Sequence, residues 1–315
     1  MPVYAKYCIV GGGAVGSVLA FYLSRGDPGQ EIAVFYRRSE SVKAIERTGG
    51  VLVEFGGGTS LVRVRPLLYT ETGVECGYVI NAVKAVDVPS TLDLMRAVSR
   101  SARSILMVQN GFGSLELAEE AFPDKCVAAG VVYFGAERVR DDYVKHTGGN
   151  SVVVGSRRGG CGGLVELAES LRRGGCDVKV VDDIDFYRWL KLGLNSVVNP
   201  LTAIARAKNK VVLLEEARPL VEMILGEVVE AARLHGVSLD KEKLLRHVLN
   251  GARATGENYS SMAQDLMRGR RTEVDYINGF VARTLESAGW NISVNKVITL
   301  LIHMIEGWHE QEGHG

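Results

Sequence analysis

"KYCIVGGGAVGSVLAFYLSRG", Lys6 to Gly26, is the stretch on which the fold turns. Tyr7 to Val10 is a short apolar run that reads as a buried strand. From Val15 to Leu23 apolar residues return at helical spacing. Between them Gly11, Gly13 and Gly16 stand at G-x-G-x-x-G spacing. Gly11 permits a tight turn, Gly13 lets a pyrophosphate approach the backbone, and Gly16 lets helix and strand pack closely. The phosphates then meet unpaired N–H groups at a helix N-terminus. The motif is weak by itself. A strand before it and a helix after it supply the context that dinucleotide binding requires.

Further along, "EIAVFYRRSE" reads as a second strand, Glu31 to Tyr36, followed by Arg37 and Arg38. A site for NAD usually carries an acidic residue there to grip the ribose 2′-hydroxyl. A guanidinium pairs instead with a 2′-phosphate, which favours NADP(H). The strands in "YVINAVKAVDV" and "SILMVQNGFGS" bring Lys84 and Asn110 to their carboxyl ends. Ligands of open parallel sheets bind outside those ends, so both residues are expected to face the cofactor. "VLVEFGGGTSLVRV" reads as a hairpin with a glycine-rich tip. "CVAAGVVYFGAERV", "YVKHT" and "SVVVGS" read as further strands, and His146 among them as structural. "SRRGGCGG" reads as a connection into a helix.

Strand signals stop after Val181. Helical spacing then runs through Asp185–Ala207, Glu215–His235, Lys241–Thr255, Glu273–Ala288 and Asn295–His309. The expected division is an α/β domain over residues 1–182 and a helical domain over 183–315, with a small substrate held in the cleft between them. In "KLGLNSVVNPLTA" Lys191, Asn195 and Asn199 recur every fourth position, so they project to one side of a helix. Burying them unpaired would be costly, so either protein groups or a polar ligand must satisfy them. Pro200 is expected to kink that helix. A second polar cluster, "NYSSMAQDLMRGRRTEVDYINGF", offers Ser261 and Glu273. Ser260 or Ser261 could equally cap a turn. Thr272 with Asp275 matches a capping box, which would make Glu273 an ordinary first-turn acid.

The 37 basic and 37 acidic residues balance to zero net charge, leaving no basic field for nucleic acid or an anionic membrane. No apolar run approaches the ~18 residues of a membrane span. The opening residues do not read as a secretory signal. Five cysteines, Cys8, Cys76, Cys126, Cys161 and Cys176, are scattered with no Cys-x-x-Cys, which reads as reduced thiols in a cytoplasmic protein without a structural metal.

Together these residues resemble the ketopantoate reductase (2-dehydropantoate 2-reductase) family along nearly the whole chain. "GGGAVG", Gly11, Gly12, Gly13, Ala14, Val15 and Gly16, looks like its cofactor loop, and "VQNGFGS" like its Asn-Gly segment. "KLGLNSVVNPLTA" and "SSMAQDLMRGRRTEVDYINGF" are similar to its two long helical signatures. The resemblance implies a Rossmann-type dinucleotide-binding domain followed by an all-α domain. It implies reduction of 2-dehydropantoate to (R)-pantoate, toward pantothenate and coenzyme A, with NADPH and in some relatives NADH. By position, Lys191 matches the proton donor. Asn195, Asn199 and Asn209 match substrate-binding asparagines, and Ser261 the residue holding the substrate carboxylate. Glu273 matches a glutamate near substrate and nicotinamide, Asn110 a residue touching cofactor and substrate, and Ala136 a backbone cofactor contact. Arg37 falls where the 2′-phosphate is held, with Arg38 the alternative. Helical second domains often dimerise, and "VITLLIHMI" is a candidate surface for a homodimer. Two other readings remain. One is a 3-hydroxyacid or 6-phosphogluconate dehydrogenase, which also has a helical Lys with Asn four residues on. The other is a non-catalytic NADP(H) sensor.

Overall fold

The computed structural model describes residues 3–312. They divide into two compact units. One takes the described chain through Gln109 together with Ser114–Ile184; the other takes Asn110–Gly113 together with the chain from Asp185 onward.

The first unit is mixed α/β. In chain order it contains β1 (Val3–Val10), α1 (Ala14–Gly26), β2 (Ile32–Tyr36), α2 (Ser39–Thr48), β3 (Val51–Phe55), β4 (Gly58–Val62), β5 (Arg65–Leu68) and β6 (Val74–Asn81). Then come α3 (Val88–Val98), β7 (Ser104–Met107), α4 (Ser114–Ala121), β8 (Val127–Arg140), β9 (Tyr143–Gly155), α5 (Gly162–Arg173) and β10 (Asp177–Val180). The strands form one sheet in the order β4-β3-β9-β8-β7-β6-β1-β2-β5, with β10 beside β9. From β5 through β2, β1, β6 and β7 to β8, each strand runs parallel to the next. That is the arrangement expected when helices make the crossovers. The strands of this block are almost wholly apolar: β2 and β7 are buried at every residue, as sheets covered on both faces require. α1 packs Val18, Leu19 and Leu23 into the same core.

β8 and β9 pair antiparallel, as do β3 and β4 around the expected hairpin. "YVKHT" and "SVVVGS" belong to one strand, β9, whose register with β8 is irregular at Gly148. His146 lies in the core with Nε2 2.7 Å from the Tyr22 hydroxyl.

The thiol reading needs correction. Cys8 is disulfide-bonded to Cys76 and Cys126 to Cys161, leaving buried Cys176 as the free cysteine. The partners are 68 and 35 positions apart. Their pairing depends on which segments become neighbours, which spacing along the chain does not reveal.

The second unit is helical: α6 (Ile184–Ala205), α7 (Arg218–Leu234), α8 (Lys241–Ala254), α9 (Ser261–Met267), α10 (Asn278–Ser287) and α11 (Val294–Gln311). Short 3-10 turns cover Asn209–Leu213, Glu215–Ala217 and Val274–Tyr276. α6 continues through Pro200. Proline has no N–H for the carbonyl four residues back. That carbonyl, of Ser196, accepts instead from Asn278 Nδ2 at 2.9 Å. Asn278 also donates to Asn295 Oδ1, and Asn295 to Glu227, whose carboxylate accepts the N–H groups opening α11. A buried polar chain thus offsets the proline and ties α6, α7, α10 and α11 together. No helix among the described residues is long and apolar enough to cross a membrane.

Candidate active site

The glycine loop after β1 has the shape its spacing implied. Gly11 sits at φ +101, and a Cβ there would stand 2.8 Å from the Val83 nitrogen. A Cβ on Gly16 would stand 2.2 Å from the Gly11 carbonyl oxygen, so helix and loop touch. A Cβ on Gly13 would meet nothing within 4 Å. Gly13 precedes α1, whose first turn carries no acidic residue. The first N–H groups of a helix lack intrahelical partners. An open glycine, free helical N–H groups and no opposing charge fit a pyrophosphate.

Around the loop, the segment after β6 lies against Gly11 through Val83, and Lys84 follows as the residue opening the 3-10 turn Ala85–Asp87. Gln109, which had no assigned role, holds this segment. Its Nε2 donates to Asn81 O, Asn81 Oδ1 and Val83 O at 2.9, 2.9 and 3.1 Å. The signal was its place at the carboxyl end of β7, one residue before Asn110. At the end of β2 the two arginines differ. Arg38 pairs with Asp141 at 2.7 Å, whereas the more exposed Arg37 has a 3.2 Å contact with Asp87. Ala136 lies on β8 opposite His146, beside a register irregularity.

In the helical unit, Asn110–Gly113 is anchored by Phe112. Its ring is buried, stacked on Phe280 and packed on Trp189. Burying a phenylalanine contributes roughly 1.5–3 kcal/mol. Phe112 N–H donates to the Tyr276 carbonyl at 3.0 Å. Gly111 has φ +79, and a Cβ there would stand 2.0 Å from the same carbonyl. The Asn-Gly pair is therefore more than a turn: only glycine admits this approach.

The anchored segment brings Asn110 beside Glu273. Asn110 Nδ2 donates to Glu273 Oε2 at 3.1 Å, and Asn195 Nδ2 donates to Asn110 Oδ1 at 3.3 Å. Three of the expected residues are thereby joined in one line. Lys191 stands one turn before Asn195 on α6, and burial lowers its amine from its ordinary range to about 8. Asn199 is buried on the same helix, and its carbonyl accepts from Thr202 Oγ1 at 3.1 Å.

The remaining expected residues have other hydrogen-bond partners or face solvent. Asn209 donates to Thr255 O and Oγ1, while its buried Oδ1 has no partner among the described residues. Ser261 is exposed in the first turn of α9. Its neighbour Ser260 is the cap, accepting from Ala263 N at 3.1 Å. The Thr272–Asp275 capping box does not form. Thr272 Oγ1 accepts from Val274 N, Thr272 N donates to Glu306, and Asp275 meets His303. Glu273 opens a 3-10 turn rather than a helix, with α10 starting later at Asn278. No cluster of three His, Cys, Asp or Glu among the described residues is placed to hold a metal ion.

Comparison with known proteins matches this architecture in both parts. The family model "Ketopantoate reductase PanE/ApbA" matches residues 7–159, and "Ketopantoate reductase PanE/ApbA C terminal" matches 183–306. The 2-dehydropantoate 2-reductase of Pyrobaculum aerophilum is 32% identical over 93% of this chain and 95% of its own. Among solved structures, a PanE/ApbA family ketopantoate reductase from Ralstonia eutropha JMP134 is 29% identical. It has a TM-score of 0.84, covering 97% of this chain and 99% of that one. A ternary structure of D-mandelate dehydrogenase with NADH and anilino(oxo)acetate shares the fold at TM-score 0.90 and 24% identity, over 97% and 99% of the two chains. The two family models span most of the chain, and the chain accordingly belongs to the ketopantoate reductase family of oxidoreductases.

Proposed function

We propose that the protein reduces 2-dehydropantoate to (R)-pantoate with NADPH, as a step toward pantothenate and coenzyme A. The observation that carries this reading is the line Asn195–Asn110–Glu273, with the lowered amine of Lys191 one helical turn away. It concentrates one proton donor and several orienting polar groups, which is what a small 2-oxo acid needs.

Residues Gly11 to Gly16, with Lys84 and Arg37, hold the dinucleotide; Ala136 contributes a backbone contact. NADPH is favoured because β2 ends in arginines with no acid, and Arg37 is the less committed of the two. When bound, the cofactor supplies a hydride to the keto carbon. Lys191 stabilises the charge that develops on the keto oxygen and delivers the proton there. With an amine pKa of about 8 it is mostly ammonium at neutral pH yet releases its proton readily. General acid catalysis of this kind typically contributes ~10²–10⁴-fold. Asn110 holds Glu273 and Asn195 in register, so the substrate meets oriented groups. Asn199, Asn209 and Ser261 supply further polar contacts, Ser261 to the carboxylate.

The same reading makes the chain a homodimer. Leu300, Met304 and Trp308 recur every fourth residue on α11 and are exposed, with Val297 and Leu301 beside them. Such a stripe is a face that association would cover.

The decisive experiment follows oxidation of reduced nicotinamide with 2-dehydropantoate, NADPH against NADH, with other 2-oxo acids alongside. Preferred turnover of 2-dehydropantoate with NADPH is expected. Absence of turnover with it, or a stronger preference for an unrelated 2-oxo acid, sinks the reading.

A further inference from the structure

Asp87 closes the 3-10 turn Ala85–Asp87 and stands at the N-terminus of α3. An aspartate there ordinarily turns its carboxylate onto the first N–H groups of the helix. This one makes no capping hydrogen bond. Its Oδ1 accepts instead from Arg37 Nη1 at 3.2 Å, 50 positions back in the chain. Tyr69 N–H donates to the Tyr36 carbonyl at 3.1 Å, so the end of β5 lies beside the end of β2. Burial raises the Tyr69 phenol to about 12, and the charges that next act on it are those of Asp87, which raises it, and Arg37, which lowers it. The Arg37 and Asp87 side chains are 70% and 36% exposed, so a solute reaches both.

An exposed ion pair of this kind adds little stability, so the fold does not depend on it. Its place is what matters. Arg37 follows the strand end at which the adenosine ribose of a dinucleotide is read, and β2 lacks the acid that grips a 2′-hydroxyl there. Asp87 brings a carboxylate to the same place from another segment, three residues after Lys84. The two charges make opposite demands. A 2′-phosphate pairs with the guanidinium. The carboxylate repels it, being well within the ~8–10 Å over which exposed charges act. A 2′-hydroxyl offers the carboxylate a donor, and an ionised carboxylate can only accept.

We infer that Asp87 is a specificity-determining residue for the coenzyme, whose carboxylate accepts from the ribose 2′-hydroxyl of NADH and opposes the 2′-phosphate of NADPH. This rests on the functional reading above, which gives Arg37 the phosphate. It adds that the preference for NADPH is tempered, because the acid missing from β2 is supplied by the turn before α3.

The test measures Kd for NADPH and NADH by nicotinamide fluorescence, without substrate, in the wild type, Asp87→Asn and Asp87→Ala. Asparagine keeps the shape and an acceptor oxygen but removes the charge; alanine removes both. Asp87→Ala is expected to weaken NADH binding about tenfold, the loss of a hydrogen bond to a charged group. Asp87→Asn should weaken it less. Both variants are expected to bind NADPH about threefold more tightly, as relief of an exposed like charge implies. The kcat/KM ratio of NADPH to NADH should rise in step. Weaker NADPH binding by Asp87→Asn would mean that the carboxylate only holds Arg37 in place for the phosphate, and overturns the inference. An unchanged ratio of the two dissociation constants overturns it as well. Either result leaves the functional reading standing. A wild type that binds both nucleotides but reduces no 2-dehydropantoate overturns that reading, while the dissociation constants still decide the inference.

Discussion

Asn110 and Glu273 stand 163 positions apart in the chain, yet the amide of one donates to the carboxylate of the other at 3.1 Å. The contact exists because Gly111 lets the backbone close on the Tyr276 carbonyl and Phe112 anchors in the helical core.

Removing the bridge should cost catalysis more than stability. A hydrogen bond to a charged group contributes about 1.5–3 kcal/mol, so Asn110→Ala is expected to lower kcat/KM by roughly 10- to 100-fold. Combined with Glu273→Gln, the losses should be less than additive, since both changes break one contact. Full additivity in a double-mutant cycle would mean the two residues act separately.

Lys191→Ala is expected to lower kcat by ~10²–10⁴-fold with NADPH binding, followed by nucleotide fluorescence, little changed. The pH profile carries the sign. Lys191 acts in its protonated form, so kcat/KM should be full below its pKa and fall as pH rises through about 8. A profile flat to pH 10, or one that rises with pH, would remove the lysine from the proton-donor role.

The arginines after β2 should separate. Arg37→Ala is expected to weaken kcat/KM for NADPH by about tenfold, with NADH little affected, since only the former brings a 2′-phosphate. Arg38→Ala should have the smaller effect, because that guanidinium is engaged with Asp141. The reverse order would reassign the phosphate contact to Arg38.

Titration of the denatured, unreduced chain should find one thiol, and five after reduction. Loop closures of 68 and 35 residues each stabilise by roughly 4 kcal/mol in the chain-entropy picture. A reductant should therefore lower the melting temperature well beyond experimental scatter. Five thiols before reduction would contradict the pairing.

Leu300→Asp with Met304→Asp should yield monomers where light scattering finds a dimer of the wild type. Two charges on the α11 stripe make its burial unfavourable. A wild type that is monomeric at all concentrations would leave the stripe without that role.

Much of the architecture could be read directly from the chain because its requirements are local. Glycines at 11, 13 and 16 act within one strand-turn-helix, and each requirement, a positive φ, open space or close packing, belongs to one position. The β3–β4 hairpin and the helical repeats were legible for the same reason: alternation and 3.6-residue spacing are properties of contiguous residues. The Thr272–Asp275 box failed although its spacing was right. Thr272 and Asp275 found partners in Glu306 and His303 on α11, which local spacing does not register.

The order of residues alone determined that this is a mixed α/β chain with a dinucleotide loop and a helical second half carrying a polar stripe. Tertiary structure decided which polar groups have partners: Asn110 with Glu273, Asn278 with the carbonyl left open by Pro200, and Cys8 with Cys76. The reason is physical. Backbone geometry follows from neighbours in sequence, whereas the satisfaction of a buried side chain depends on whatever distant segment the packing delivers to it.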